Sequence, residues 1–423
     1  TGDELIGRVG MEAWGEPYLA GQRGGVLTII TPEGQVMATL ARREAVPARS
    51  IYLTYERDFQ GKVEELLGER KGAVVVMDVN DGRVLALATW PRFDPNRFAE
   101  GINAAAWSAL TNDPARPLVN RAIQGQYPPG SSFKPVSMGT VIERGGVDPS
   151  QTYECPGVWN KLGWDMTCWL KSGHGTIDLV SALTASCDIT FYQVGYDLSF
   201  VDRDALPSYA RAFGLGALTG IGKTSYGDLD PLGEAPGIVP DDAWKRATYG
   251  EGWATGDNVN LAIGQGFLLV TPLQMCRTFA AIANGGTLYR PQLVWKITGV
   301  DAEPEMAFKP ERMARLPVTP DTLEAIQRGL LGVTTDPRGT APHRFVGFPY
   351  SVAGKTGTAE NPEELPHSWF VGYLPADEPE IAIAVMIENV GEGSSHAAPL
   401  FRQVAAAYYG LEEGTPKVEG QGD

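Results

Sequence analysis

The sequence predicts an α+β fold, an antiparallel sheet flanked by helices with a largely helical subdomain set between its strands. Three observations predict it. A short helical pattern near residue 60 leads into two strand-like runs around a tight turn; apolar runs of strand length return only after residue 350; and the stretch from about 100 to 345 reads largely as helices and loops. A fourth feature adds a small β-rich module at the start, residues 1–54.

In chain order, Gly25 to Thr31 and Gln35 to Leu40 are short β-type runs around Pro32-Glu33-Gly34, with no long helical pattern beside them. From Glu56 to Glu69 the apolar residues Phe59, Val63, Leu66 and Leu67 recur at helical spacing, and Gly68 stops the pattern. Ala73 to Val79 and Arg83 to Trp90 flank Asn80-Asp81-Gly82, a turn that favours positive φ and closes a hairpin. Helices are expected at Ser132 to Arg144, Ser181 to Leu198 and Pro272 to Asn284. Strands follow at Tyr350 to Lys355, Ser368 to Leu374 and Ile381 to Glu388, and a last amphipathic helix at Pro399 to Tyr409. The domains expected are therefore 1–54, a main domain 55–411 and a polar tail 412–423. Clefts belong where the helical insertion meets the sheet.

At 423 residues the chain exceeds one ordinary domain of roughly 150 residues and is long enough for an enzyme. A formal charge of −16 repels a phosphate backbone, so nucleic acid is excluded as a partner. No stretch of about 18 uncharged apolar residues occurs, so no membrane span is expected within the sequence. The 51 Gly and 31 Pro are spread between periodic segments and form no repeat, as in a loop-rich fold. Starting at Thr1 without a signal-peptide pattern, the chain is expected to be a trimmed or mature fragment.

Chemistry concentrates in three places. Pro128-Pro129-Gly130-Ser131-Ser132-Phe133-Lys134 sets Ser131 at a helix N-terminus with Lys134 one turn on, on the same face. A serine hydroxyl needs a base, and lysine can serve where burial or a nearby cation keeps it partly neutral. By itself such a pair is commonly an N-cap followed by a lysine. Two partners change its meaning: Ser186-Cys187-Asp188 on a second helical segment, and Lys355-Thr356-Gly357-Thr358 on an apolar strand-like run. SxxK, SxN and KTG in this order are the motif set of penicillin-binding proteins and class A β-lactamases, and the chemistry is acyl transfer through an acyl-serine. Lys355 would supply a fixed positive charge for a substrate carboxylate, and Gly357 would let substrate backbone lie against the strand.

From about residue 54 to 410 the chain resembles a class B penicillin-binding protein, a peptidoglycan D,D-transpeptidase. Trp90 to Asn96, Asn120-Arg121-Ala122, Tyr127 to Pro135, Gly264-Gln265-Gly266 with Thr271 to Gln274, and His367 to Tyr373 all look like blocks of that family. Cys168-Trp169, Gly173-His174-Gly175 and the Ser186-Cys187-Asp188 form of the second motif are similar to the elongation subtype, penicillin-binding protein 2, of cell-shape maintenance. Residues 1–54 resemble the end of a membrane-proximal pedestal. The resemblance implies the penicillin-binding-protein/serine β-lactamase-like transpeptidase fold. Ser131 would attack the D-Ala-D-Ala bond of a stem peptide, Lys134 would take and return the proton, and Ser186 would relay it. Ser131 and Thr358 N–H groups would form the oxyanion hole, and Lys355, Thr356 and Thr358 would hold the terminal carboxylate. β-Lactams would acylate the same serine, with no cofactor in the chemistry. It also implies a SEDS-type glycosyltransferase partner and a place on the extracytoplasmic face of the bacterial inner membrane, anchored by an N-terminal helix absent from this chain. Asp188 departs from the family's Asn; acceptor, ion pair to Lys134 and protonated donor are all open. The alternatives are a β-lactam-binding sensor, a serine β-lactamase or D,D-carboxypeptidase, and a division-type transpeptidase.

Cys155, Cys168 and Cys187 with His174 have the composition of a closed structural zinc site. A Cys155–Cys168 disulfide with Cys187 buried alone is the competing reading. Zinc is preferred because His174 sits in a Gly-His-Gly turn and a disulfide leaves Cys187 unexplained. Some elongation-type relatives resemble this chain in carrying a metal at matching positions. Cys276 is expected in the core and His367 as a structural hydrogen-bonder; Gln265, an amide between two glycines, can be a turn residue or a cleft-lining group, and the structural reading is preferred.

Overall fold

The structure, a computed structural model, describes residues 6–99, 101–224, 230–361 and 364–411. The polar tail expected at 412–423 lies outside the described residues. Two compact units are present: Thr1–Thr54 with Gly220–Glu234 and Gln292–Lys309, and Tyr55–Thr219 with Ala235–Pro291 and Pro310–Asp423. The division after residue 54 coincides with the boundary drawn from the sequence, but the segments 220–234 and 292–309, assigned there to the main domain, join the first unit. For 292–309 the reason is strand pairing, since Ser50–Leu53 and Pro304–Ala307 flank Val294–Thr298 in one antiparallel sheet, and for 220–234 it is bonding, since the Gly10 amide donates to the Pro231 carbonyl at 2.9 Å and Trp14 Nε1 to the Lys223 carbonyl at 3.1 Å.

The first unit also contains the hairpin of Gly25–Ile30 with Val36–Arg43. A helix at Gly10–Leu19 was not anticipated, since Gly15 and Pro17 inside it weaken the helical signal. Gly15 is closely packed, and a Cβ there would come 2.6 Å from Ile51 Cδ1 and push that side-chain end aside.

The second unit is built on a five-stranded antiparallel sheet ordered Ala353–Asn361, Glu364–Leu374, Ile381–Ile387, Gly72–Asp78, Val84–Trp90. Val74 and Val76 of one central strand and Ile383, Val385 and Ile387 of its neighbour pack with Val63, Leu67, Phe401 and Val404 from the helices Arg57–Leu67 and Ala397–Tyr408. The alternate residues meet Pro272–Ala283, a wholly buried helix whose Cys276 Sγ lies 3.3 Å from the Ala382 carbonyl. Burial on both faces explains why these strands are continuous apolar runs rather than alternating ones.

Two local differences from the sequence reading bear on the site. The strand expected at Tyr350 to Lys355 begins at Ala353 and continues to Asn361, which brings all of Lys355 to Thr358 onto the sheet edge. The helix expected over Ser181 to Leu198 is two helices, Leu179–Thr184 and Asp188–Val201. Between them Ser186 adopts a left-handed φ of 54°, a conformation that costs a non-glycine residue about 1–3 kcal/mol. An uninterrupted helix would point Ser186 and Cys187 in directions set only by 3.6-residue spacing; the joint turns both inward. Short strand pairs in the helical subdomain, Thr152–Cys155 with Gly175–Asp178 and Val158–Trp159 with Met166–Thr167, were not expected either.

Candidate active site

The nucleophile turn begins as a 3-10 turn, Gly130–Phe133, and passes directly into the helix Lys134–Gly145. In that tight turn residues three apart eclipse, which stacks Lys134 under Ser131. Gly130, at φ 54°, donates to the Gly264 carbonyl at 2.9 Å, and a Cβ on it would lie 2.6 Å from the Thr358 carbonyl oxygen. The two neighbouring serines differ. Ser132 is buried and its hydroxyl donates to the Pro129 carbonyl at 2.7 Å, while Ser131 is half-exposed. Ser131 is therefore the hydroxyl open to a substrate.

Lys134 is fully buried, and its ammonium reaches the Ser186 carbonyl at 2.9 Å, the Ser186 Oγ at 3.2 Å and Asp188 Oδ1 at 2.8 Å, with the Phe191 ring 5.4 Å away. Asp188 Oδ2 accepts the Trp169 backbone N–H at 2.9 Å. Of the three options the sequence left for Asp188, the geometry is that of an acceptor and ion-pair partner. Ser131 Oγ is not among the three acceptors of Lys134, as is common for catalytic contacts before substrate closes the site.

Lys355, also fully buried, donates to the Thr356 carbonyl at 3.2 Å. Burial pushes its ammonium well below the usual lysine range, the charge of Lys134 pushes the same way, and Asp188 opposes both. Thr356 Oγ1 pairs with Thr340 Oγ1 at 2.7 Å. Thr358 O accepts from Gln265 Nε2 at 3.4 Å, and since a strand residue aims N–H and C=O to the same side, the Thr358 amide also faces the nucleophile turn. Gly357 has a different necessity from the one first supposed. A Cβ there would come 2.7 Å from the Pro129 carbonyl and 2.9 Å from Trp369 Cβ, so glycine is what seats the turn against the strand.

Thus Ser131, Lys134, Ser186, Asp188 and the strand Lys355 to Thr358 are drawn from three distant segments into one locality. Residues not anticipated there are Thr340 and the Trp169 amide, while Gln265, for which the structural reading was preferred, takes the cleft-lining alternative. The flanking glycines, which adopt φ 72° and 78°, were the sequence signal for Gln265; Cys168-Trp169 was noted only as a subtype mark, and nothing in the sequence pointed to Thr340. His367 accepts the Asn389 amide at 3.2 Å and is a structural hydrogen-bonder.

Cys155, Cys168, Cys187 and His174 also converge, with their ligand atoms all within 4.8 Å of one another. Pairing of Thr152–Cys155 with Gly175–Asp178 sets Cys155 opposite Gly175, and the positive φ of Gly173 and Gly175 lets the loop fold inward. The cysteines are free thiols. A tetrahedral zinc with Zn–S near 2.3 Å and Zn–N near 2.0 Å holds S and N ligands about 3.5 Å apart. His174 Nδ1 stands 3.5 Å from Cys155 Sγ and 3.6 Å from Cys168 Sγ, while its Nε2 is buried without a hydrogen-bond partner among the described residues. A hydrogen bond between the two thiols lowers Cys168 and raises Cys187. The donor set fits zinc.

A buried lysine shared between a second serine and an aspartate, beneath an open serine and beside a sheet edge, is an arrangement for opening an amide through a covalent ester. That class has a family here: the pattern of the penicillin-binding protein transpeptidase domain matches residues 72–406, and the chain belongs to this family. Peptidoglycan D,D-transpeptidase MrdA of Haemophilus influenzae is 36% identical over 441 residues, covering 99% of this chain and 65% of the relative. The chain thus spans just under two thirds of the length of that relative. A crystal structure of Pseudomonas aeruginosa penicillin-binding protein 2 in complex with WCK 5153 superposes with a TM-score of 0.82 at 32% identity, covering 97% of this chain and 84% of that one. Helicobacter pylori penicillin-binding protein 2, in a complex with MreC, superposes at 0.84 and 29% identity, over 96% of this chain and 72% of that one.

Proposed function

We propose that the protein is an elongation-type peptidoglycan D,D-transpeptidase. The observation that carries the chemistry is the buried side-chain nitrogen of Lys134, 3.2 Å from Ser186 Oγ and 2.8 Å from Asp188, one eclipsed turn below Ser131, where as the neutral amine it can take a proton. Ser131 Oγ attacks the carbonyl of the penultimate D-Ala, and Lys134 receives its proton. Ser186 Oγ passes that proton to the departing D-Ala amine, leaving an ester on Ser131. The amine of a second stem peptide then attacks the ester, its proton returning through the same pair. The Ser131 and Thr358 amides hold the oxyanion, and Lys355, Thr356 and Thr358 the terminal carboxylate. Asp188, as an ion-pair partner, favours the protonated lysine that forms as Ser131 attacks. β-Lactams take the donor's place and acylate Ser131.

Cys155, Cys168, His174 and Cys187 would hold a structural zinc ion, which when bound supplies a cross-link and no chemistry. Because Cys187 lies between Ser186 and Asp188, those ligands fix the second turn. Residues 1–54 are proposed as the end of a pedestal, and the site of action as the extracytoplasmic face of the bacterial inner membrane; among the described residues no helix is long and apolar enough to cross a membrane. The similarity to a penicillin-binding protein 2 captured with MreC supports an MreC-type partner, alongside a SEDS-type glycosyltransferase.

Intact-mass measurement after incubation with benzylpenicillin tests the reading. One acyl adduct is expected, lost in Ser131→Ala and kept in Ser132→Ala; an adduct surviving Ser131→Ala would falsify the nucleophile. Turnover of a D-Ala-D-Ala donor into product with an amine acceptor, in preference to hydrolysis, separates transpeptidase from β-lactamase, carboxypeptidase and sensor.

A further inference from the structure

Behind the nucleophile turn lies a buried acidic node that the acyl-transfer scheme does not use. Glu388, just past the end of strand Ile381–Ile387, is mostly buried, with 9% of its side chain exposed. Its Oε1 accepts the Tyr127 hydroxyl at 2.7 Å and Arg121 Nε at 2.7 Å, and its Oε2 faces Lys71 Nζ at 2.8 Å. Burial would raise the carboxyl, but the bonds from Lys71, Tyr127 and Arg121 together lower it, so it is an anion at neutral pH.

The node is joined to Ser131 by a short, fully accounted chain. Tyr127 opens the sequence Tyr127-Pro128-Pro129-Gly130-Ser131, in which the two prolines restrict the backbone and Gly130 is held by its bond to the Gly264 carbonyl at 2.9 Å. Its backbone bonds with Val270 in both directions at 2.9 Å, and its ring stands edge-on to His367 and Trp369. Trp369 Nε1 donates to the Pro128 carbonyl at 3.1 Å. Among the described residues the side chain of Tyr127 thus has one polar tether, Glu388. Arg121 spends its other nitrogens on the carbonyls of Ala115 and Arg116, so the same carboxylate ties the loop before the turn to the sheet.

We propose that Glu388 is a positioning residue for acyl transfer, acting through Tyr127 to set the height of Ser131 over Lys134. The inference rests on the proposed acylation chemistry. A shift well under 1 Å at a reacting oxygen is enough to slow a bond-forming step, whereas capture of the inhibitor's carboxylate by Lys355 and Thr356, on a different strand, does not depend on the tether. Loss of the tether should therefore appear in the acylation constant and not in the preceding binding constant.

The test is stopped-flow acylation of the whole chain by nitrocefin over a concentration series, which separates the two constants, with Tm measured alongside. Tyr127→Phe, which removes one hydroxyl, and Glu388→Gln should each lower the acylation constant about tenfold, leave the binding constant within twofold, and show no further loss when combined. Glu388→Asp should recover part of the rate. Tyr127→Phe keeps the question answerable should Glu388→Gln fold poorly. Folded variants acylating within twofold of the parent, or losses that multiply in the double variant, overturn the positioning role and leave the acyl-transfer reading intact. A parent that is not acylated at all overturns that reading, and this one with it.

Discussion

Two turns supply the hydroxyls of the candidate site, and they are held in different ways. The nucleophile turn, 127–134, is fastened at the central sheet and at one loop: Trp369 holds Pro128, Gly357 seats Pro129 and Glu388 holds Tyr127, while Gly264, in the turn after the helix Thr255–Ala262, holds Gly130. The second turn, 185–188, is a left-handed joint between two helices, with Trp169 Nε1 on the Ala185 carbonyl at 3.0 Å, the Trp169 amide on Asp188, and Cys187 in the thiol–imidazole cluster. The first turn owes its geometry to folding of the sheet core. The second owes its geometry to a small loop region gathered round that thiol–imidazole cluster. Lys134 bonds across to the second turn, and so senses both.

The largest effect should come from removing that common element. Lys134→Ala is expected to slow acylation by benzylpenicillin at least about 10³-fold, through loss of the general base, and to leave Asp188 half-paired; a variant retaining a tenth of parental rate would show that the two turns do not meet at this lysine. Gly357→Ala strikes the first turn alone. Its Cβ displaces Pro129, so acylation should fall on the order of 10²-fold with bound zinc unchanged by elemental analysis.

Chelation with 1,10-phenanthroline strikes the second turn alone: Tm is expected to fall by a few degrees and acylation to slow about tenfold, both recovering on zinc addition. Purified protein with no zinc and a Cys155–Cys168 disulfide in a non-reducing peptide map would remove the metal from the comparison. Smaller still is a pH effect at the strand that faces both turns. Burial disfavours the charged form of Lys355, so its proton leaves at a pH below the ordinary lysine value of 10.5. Capture of carboxylate-bearing β-lactams should therefore be complete at lower pH and weaken as pH rises through that lowered pKa, an effect absent for an ester analogue. Trp369→Phe, which removes the bond to Pro128 and leaves a smaller ring in a fully buried site, should cost at least about 1 kcal/mol, roughly fivefold in acylation rate; no change would mean that the other three fastenings suffice.

Much of this was legible in the sequence because it is encoded locally. Strand runs such as Val74 to Met77 and Ile381 to Ile387, the Asn80-Asp81-Gly82 hairpin turn, the short-range Ser131–Lys134 spacing and the composition of the Cys–His set depend on neighbours within a few residues. The helix at Gly10–Leu19 was hidden by its own glycine and proline, and the membership of 292–309 in the first unit by a strand pairing to residues more than two hundred positions away. The left-handed φ of Ser186 was illegible because serine gives no conformational signal of its own.

By itself, then, the sequence determined the α+β class, the family of the chain, and which residue types are available for acyl transfer and for metal. Only the tertiary structure decided that Asp188 pairs with Lys134, that Ser132 is occupied while Ser131 is open, that Gly357 makes room for Pro129, and that Glu388 tethers Tyr127. Side-chain type and short-range periodicity are properties of the chain, whereas a distance between segments far apart in sequence exists only once the sheet has closed and excluded water from between them.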